Sequence, residues 1–217
     1  MKIVYGTGNQ AKLSFMKRSL AGLPVELIGL KEAADEQGIG VPEVEEDGNS
    51  PLENAREKAH AYYACLKQPV FSCDSGLYLW NAATGEMLPE ELQPGIHVRG
   101  RGEKRLTDEE LIAHYTGLVK EYGPILARYK NAICFVMDED HIYEGMDDSL
   151  AGEAFLLADK PHEKRVSGFP LDSISLEIAS GKYYYDLEDN SQDDVAAYDG
   201  FRQFFAKYMK KNNLCDE

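Results

Sequence analysis

The 217-residue chain is short of positive charge. It has 23 lysines and arginines against 38 aspartates and glutamates, a formal net charge of −15 with histidine neutral. A surface of that sign repels nucleic-acid backbones and anionic membranes, so neither a nucleic-acid polymer nor a membrane is expected as a partner. Long apolar runs are missing too: none approaches the roughly 18 residues that a membrane-spanning helix needs. Met1–Tyr5 runs straight into a glycine turn, without the charged start and long apolar stretch of a signal peptide. Cysteine is sparse and scattered. Cys65, Cys73, Cys134 and Cys215 form no CxxC pair, which argues against a zinc or disulfide framework and reads as the reduced thiols of a cytoplasmic protein. His60, His97, His114, His141 and His162 are dispersed and offer no ligand pair. No repeat, low-complexity tract or linker divides the chain.

What is present is an ordinary globular composition, 43% hydrophobic, in a chain long enough to bury a proper core. Lys2–Tyr5 reads as a short strand, Gly6-Thr7-Gly8-Asn9 as a turn, and Gln10 to Ala21 as a helix with Leu13, Met16 and Leu20 at helical spacing and Asn9 as its N-cap. Val25–Gly29 is a second strand, and residues 31–50 read as acidic and irregular. Ser50-Pro51-Leu52-Glu53 is a capping box with proline at the first helical position. Leu52, Ala55, Ala59, Tyr62, Tyr63 and Leu66 form the apolar stripe behind it. Pro69–Leu79 is expected as a buried strand broken at Asp74-Ser75-Gly76, followed by a loop over 81–105. A Thr107-capped helix comes next, then strands over 125–137, 142–144 and 153–157 and a strand or hairpin over 174–185. Ser191 opens a last helix, with Asp193 and Asp194 at its start, Lys207, Lys210 and Lys211 at its end, and Phe201, Phe204, Phe205 and Tyr208 as its buried stripe. The tyrosine run 183–185 reads as half core and half surface. This mixture of strands and helices specifies one α/β domain over residues 1–217.

Three stretches concentrate residues suited to chemistry. In Thr7-Gly8-Asn9-Gln10-Ala11-Lys12, a lysine one turn into a helix behind a glycine loop can reach an anion held at the helix start. Glu45-Glu46-Asp47-Gly48 supplies carboxylates, the hard oxygen ligands that Mg²⁺ prefers, and leads to a helix on which Asn54 and Lys58 share a face. In Phe71-Ser72-Cys73-Asp74-Ser75-Gly76-Leu77, an acid sits in an apolar strand, which is costly unless it is paired or holds metal.

Taken together, these stretches resemble the inosine triphosphate pyrophosphatase (Ham1-like) family. Its T-G-N-x-x-K reads Thr7-Gly8-Asn9-Gln10-Ala11-Lys12. Its E-x-G and E-N-A-x-x-K-A read Glu46-Asp47-Gly48 and Glu53-Asn54-Ala55-Arg56-Glu57-Lys58-Ala59. Its D-S-G-L reads Asp74-Ser75-Gly76-Leu77, and P-G-x-x-x-R follows at Pro94-Gly95-Ile96-His97-Val98-Arg99. The second half departs from the family. G-F-G-[YW]-D-P becomes Gly168-Phe169-Pro170-Leu171-Asp172-Ser173. The S-H-R of the final helix is absent, the corresponding stretch being Val195-Ala196-Ala197-Tyr198-Asp199-Gly200-Phe201-Arg202. Phe15 stands where the family has a glutamate, and Cys73 where it has an acid before Asp74.

The resemblance implies a mixed β-sheet flanked by helices, in two lobes around a central cleft. It implies an enzyme that hydrolyses a nucleoside triphosphate to the monophosphate and pyrophosphate, acting on nonstandard purine nucleotides such as ITP, XTP and dITP. Mg²⁺ is the implied cofactor, with Mn²⁺ the other candidate, and a homodimer the implied assembly. By the same resemblance, Asp74 acts on the attacking water and with Glu46 holds the metal. Thr7, Asn9, Lys12, Lys58 and Arg99 contact the phosphates, Ser75 also binds the substrate, Phe169 stacks on the base and Asp172 hydrogen-bonds beside it. Without S-H-R, a different base preference stays open, as does a non-catalytic nucleotide-binding regulator. Glu46, Lys58 and Asp74 together speak against the regulator, which has little use for both a metal acid and a base.

Overall fold

In Lys2–Tyr5 (β1) the residues Ile3, Val4 and Tyr5 are all buried, because helices or other strands cover both faces of this strand. The structure, a computed structural model, describes residues 1–100, 105–166, 169–187 and 195–211. Its contacts separate two compact units. The first comprises Met1–Ser75, Lys130–Ala151 and Val195–Glu217, and the second Gly76–Tyr129 and Gly152–Asp194.

In the first unit β1 lies between two parallel neighbours, Glu26–Gly29 (β2) and the start of Val70–Asn81 (β3). Ile125–Val136 (β4) pairs antiparallel, through Ile133–Val136, with Ile142–Gly145 (β5). Helices Gln10–Ser19 (α1), Leu30–Gln37 (α2), Pro51–Leu66 (α3) and Val195–Lys211 (α5) belong to this unit. The largest apolar cluster joins Ile3, Met16, Phe71 and Phe135 to Phe201, Phe204, Phe205 and Met209 of α5. Phe71 stacks on Tyr5 with centroids 4.5 Å apart and meets Phe205 edge-on at 4.9 Å. Of the expected stripe of the last helix, Phe201, Phe204 and Phe205 are therefore core and Tyr208 packs partly buried against them, while Ser191, Asp193 and Asp194 lie outside the described residues.

The second unit carries the later part of β3, the early part of β4, and Phe155–Leu157 (β6) and Ser175–Leu176 (β7), in the order β3-β4-β6-β7. Asp108–Tyr122 (α4) covers it through Leu111, Ile112, Tyr115 and Leu118. Thr107 and Glu110 cap α4 reciprocally, as the Thr-x-x-Glu pattern specifies. The strand or hairpin expected over 174–185 is a small one: β7 turns back so that Leu176 bridges Tyr183.

Two local expectations change. The start of the acidic stretch, residues 31–37, lies in helix α2, whose buried stripe is Leu30, Ala33 and Ala34 and whose C-cap, Gly38, takes φ +66°. Alanines set among acids give little periodic contrast, so the stripe is faint in the sequence. Strand β3 also runs unbroken through Asp74-Ser75-Gly76. Its polar residues find side-chain partners nearby, so the strand has no need to stop.

Candidate active site

The β1–α1 turn is fixed by close packing and by its own side chains. A Cβ on Gly6 would lie 2.2 Å from Ser72 Oγ and 2.6 Å from the Tyr62 ring, so only glycine fits. The Gly6 N–H donates to Phe71 O at 2.7 Å. Thr7 Oγ1 accepts the Asn9 N–H at 3.2 Å, and Asn9 Oδ1 accepts from the N–H groups of Ala11 (2.9 Å) and Lys12 (3.2 Å). Asn9 is thus the N-cap of α1, as its position in the sequence predicts. Lys12 is exposed on the first turn, and its charge is felt at the buried Cys73 thiol on β3.

Asp74 is held by α3. Ser50 Oγ accepts the Glu53 N–H at 3.2 Å and starts the helix, with Pro51 at the first position. The Glu53 carboxylate accepts the N–H of Asn49 at 2.6 Å rather than that of Ser50, so the expected box closes one residue early. One turn into α3, Asn54 is only 2% exposed and uses both ends of its amide. Its Nδ2 donates to Asp74 Oδ2 at 2.8 Å, and its Oδ1 accepts the Gly48 N–H at 2.9 Å. Asn54 thereby ties the Glu46-Asp47-Gly48 segment to the strand that carries Asp74. A Cβ on Gly48 would come within 2.7 Å of Asn54 Oδ1, which explains the glycine.

One turn further along the same face, the buried Lys58 ammonium donates to Glu46 Oε2 at 2.9 Å and to Cys73 O at 3.2 Å, and lies 3.9 Å from Asp74 Oδ1. The two Asp74 oxygens therefore differ: Oδ2 is committed to Asn54, and Oδ1 faces the ammonium at a distance too long for a good hydrogen bond. Ser75 Oγ donates to Asn131 Oδ1 at 2.7 Å, and Asn131 Nδ2 donates to Leu150 O at 2.8 Å, which fixes Ser75 to β4. Burial pushes the Cys73 thiol up to about 12, so this residue is a neutral thiol hydrogen-bonded to Tyr5 and not a second anion beside Asp74.

In the second unit Arg99 is turned onto Asp108, Nη1 to Oδ1 at 2.8 Å, and reaches Leu106 O at 3.4 Å. Its charge and that of Asp172 both act on the buried Tyr129 phenol, which burial pushes up to about 12. Phe169 is 54% exposed, and its carbonyl accepts the Asp172 N–H at the head of the 3₁₀ turn Pro170–Ile174. Burial raises the Asp172 carboxyl above its ordinary value. Gly168, which precedes Phe169 in the family-like segment, lies outside the described residues.

The sequence profile of the Ham1 family matches residues 3–173. The chain belongs to the Ham1 family. It is 31% identical over 186 residues to a dITP/XTP pyrophosphatase of Symbiobacterium thermophilum, across 83% of this chain and 81% of the relative. A shorter match, 41% identical over 81 residues, covers 36% of this chain and 38% of a dITP/XTP pyrophosphatase of Malacoplasma penetrans. The fold is shared with a HAM1 protein from Coxiella burnetii (TM-score 0.68, 20% identity, 97% of this chain and 99% of that one). It is shared equally with the Ham1 protein of Staphylococcus aureus (TM-score 0.67, 21% identity, 98% and 100%).

Within this Ham1 chain, Glu46, Lys58, Asp74 and Ser75 gather in the first unit around α3 and β3. Arg99, Phe169 and Asp172 belong to the second. Asn54 and Asn131 were missed as site residues. The face shared by Asn54 and Lys58 was visible in their four-residue spacing, but nothing local in the sequence marks Asn131, which lies 56 residues beyond Ser75. Among the described residues no three His, Cys, Asp or Glu side chains converge as a metal-binding group. Glu46 and Asp74 nevertheless fit a hard divalent cation. They are two carboxylates drawn to one ammonium, and Mg²⁺ is commonly held by one or two carboxylates completed by substrate phosphate.

Proposed function

We propose that this chain hydrolyses nucleoside triphosphates to nucleoside monophosphate and pyrophosphate, with nonstandard purine nucleotides (ITP, XTP, dITP) as its substrates. The observation that carries this reading is the unequal environment of the two Asp74 oxygens. Asn54 holds Oδ2, which leaves Oδ1 as the acceptor for a water proton. Water oxygen attacks the α-phosphorus, its proton passes to Asp74, and the bond from the α-phosphorus to the bridging oxygen breaks to release pyrophosphate. Glu46 and Asp74 would hold Mg²⁺ or Mn²⁺, which when bound neutralises charge on the phosphate oxygens. Lys58 keeps the two carboxylates together and offers its charge to phosphate. Lys12, Thr7 and Asn9 at the β1–α1 turn, and Ser75 on strand β3, would receive phosphate oxygens, with Asn9 contributing through the α1 start that it caps. For Arg99, binding phosphate means exchanging Asp108 for a phosphate oxygen. Phe169 presents an exposed ring for stacking, and Asp172 an acceptor beside it.

The names of the relatives support the reaction and the base class, and the matched motifs support residue roles. The same resemblance supports one catalytic domain, a homodimer checked by light scattering, and a cytoplasmic location. No helix among the described residues is long and apolar enough to cross a membrane.

The deciding experiment is pyrophosphate release from a panel of standard and damaged nucleoside triphosphates, with Mg²⁺ and with chelator. Chelator-sensitive release favouring ITP or XTP is expected. Release favouring another base would keep the mechanism and discard the specificity. A folded protein that releases nothing would overturn the reading in favour of a nucleotide-binding regulator.

A further inference from the structure

In the second unit the 3₁₀ turn Tyr184–Asp186 packs against the turn Pro170–Ile174 that carries Asp172. Neighbouring phenols there are satisfied: Tyr183 donates to Lys160 O at 2.8 Å, and Tyr115 to Val98 O at 3.2 Å. Tyr185 is not. Its hydroxyl is covered and has no hydrogen-bond partner, and it is the sole buried side-chain polar atom so left among the described residues. A covered, unpaired hydroxyl is costly, so its retention asks for a reason. The ring itself is well held: the Lys164 ammonium lies 4.5 Å from its centroid, and the His162 ring centroid is 5.5 Å away. Arg165 is engaged elsewhere, with Glu109 at 3.1 Å and the carbonyls of His162 and Lys164.

Asp172 is the complementary group. Burial alone shifts its carboxyl, with no hydrogen bond or positive charge to oppose the shift, and its charge is felt at the Tyr185 phenol. An unpaired hydroxyl donor and a half-buried carboxylate acceptor thus lie on two turns packed against each other, one of which begins at Phe169.

We propose that Tyr185 Oη and the Asp172 carboxylate together read the lactam edge of the nucleobase, Tyr185 donating to a ring carbonyl and Asp172 accepting from the adjacent ring N–H. This rests on the nucleotide reading above and names the residue that separates lactam bases from amino bases. Hypoxanthine, xanthine, guanine and uracil present a carbonyl beside an N–H. Adenine and cytosine present an amino group beside a bare ring nitrogen, which would set donor against donor at Tyr185 and leave Asp172 facing a lone pair. The Tyr185 oxygen is shut off from water in the free chain. A carbonyl that reaches it therefore meets a donor with no bound water to strip away, and a base without that carbonyl leaves it unpaired.

The test compares the full chain and Tyr185→Phe with two nucleotides, ITP and purine riboside triphosphate, which keeps the ring and lacks the 6-oxygen. Binding is measured by calorimetry and turnover by pyrophosphate release. The variant is expected to melt no lower than the parent, because it loses an unpaired group. It is expected to lose about tenfold or more in both affinity and kcat/KM for ITP while purine riboside triphosphate is unaffected. A lower melting temperature, unchanged ITP preference, or an equal loss with both nucleotides would overturn the proposal. If the parent prefers ITP in binding, releases no pyrophosphate, and loses that preference in Tyr185→Phe, the base contact stands and the hydrolytic reading falls. If the parent releases pyrophosphate without preferring ITP, the contact falls and hydrolysis stands. If neither nucleotide binds, both fall.

Discussion

Asp74 illustrates how one side chain can be both anchored and available. With Oδ2 held by Asn54 at 2.8 Å and Oδ1 3.9 Å from the Lys58 ammonium, the carboxylate is oriented without being used up. Asp74→Asn keeps an oxygen that can accept from Asn54, so the fold is retained, but the new amide can neither take a proton nor ligate a cation with charge. Turnover is expected to fall by about 10²- to 10⁴-fold while the melting temperature stays within a few degrees of the parent. Pyrophosphate release and thermal melting decide it, and comparable turnover would remove Asp74 from the chemistry. Asn54→Ala is a different test. It leaves the Gly48 N–H and Asp74 Oδ2 without their partner in a buried place, a loss of about 1–3 kcal/mol. Both stability and turnover should drop, whereas a variant of full stability and full turnover would mean that the amide bridge is incidental.

At the scale of elements, legibility follows how local the signal is. The Ser50 and Thr107 caps, the Asn9 cap and the aromatic stripe of α5 are all written within four or five residues, and the structure realises each. Helix α2 was hidden because its stripe is Leu30 and two alanines, and β3 looked broken because Asp74 and Ser75 find partners in distant segments, at Asn54 and Asn131. The candidate site divides in the same way. The residue types in the motifs were readable, but the amide bridge through Asn54 and the Asn131 clamp are tertiary facts. Two substitutions separate local from tertiary control. Thr107→Ala removes one half of the α4 cap and should cost about 0.5–2 kcal/mol by chemical denaturation. Gly200→Ala places a Cβ 1.8 Å from Ser149 O, where α5 lies against the turn Asp148–Leu150, and no side-chain motion can relieve a clash with backbone. It should be the more damaging of the two, and an equal or smaller loss would show that α5 shifts freely.

For the whole molecule, paired carboxylates on the acid side and buried thiols and phenols on the alkaline side set the pH range in which the fold holds. On the acid side, Arg56 draws the Glu144 carboxyl below its ordinary 4.5, and His141 and Ser149 do the same for Asp138 and Asp147 below 3.8. Their contribution is present above those ordinary values and is lost as pH falls through the lowered ones. On the alkaline side the shifts run upward. Burial pushes Cys73 and Cys134 from 9.0 to about 12 and Tyr129 from 10.0 to about 12, and raises Tyr5 and Tyr115 as well. Between the ordinary and the raised values the unfolded chain has given up protons that the folded chain keeps, so each unit of pH favours unfolding. Every such group removes up to about 1.4 kcal/mol per pH unit inside its window. A chain already at −15 gains further self-repulsion as its lysines discharge. Stability is therefore expected to be level from about pH 5 to 9 and to fall steeply above it. Cys134→Ala removes one of the titrating thiols, so its unfolding free energy should decline less steeply than the parent's between pH 9 and 11, whatever its offset at pH 7. Parallel slopes for parent and variant would mean that Cys134 is not held neutral by its burial. A parent that stays level to pH 11 would dismiss the whole set of buried acids as the cause.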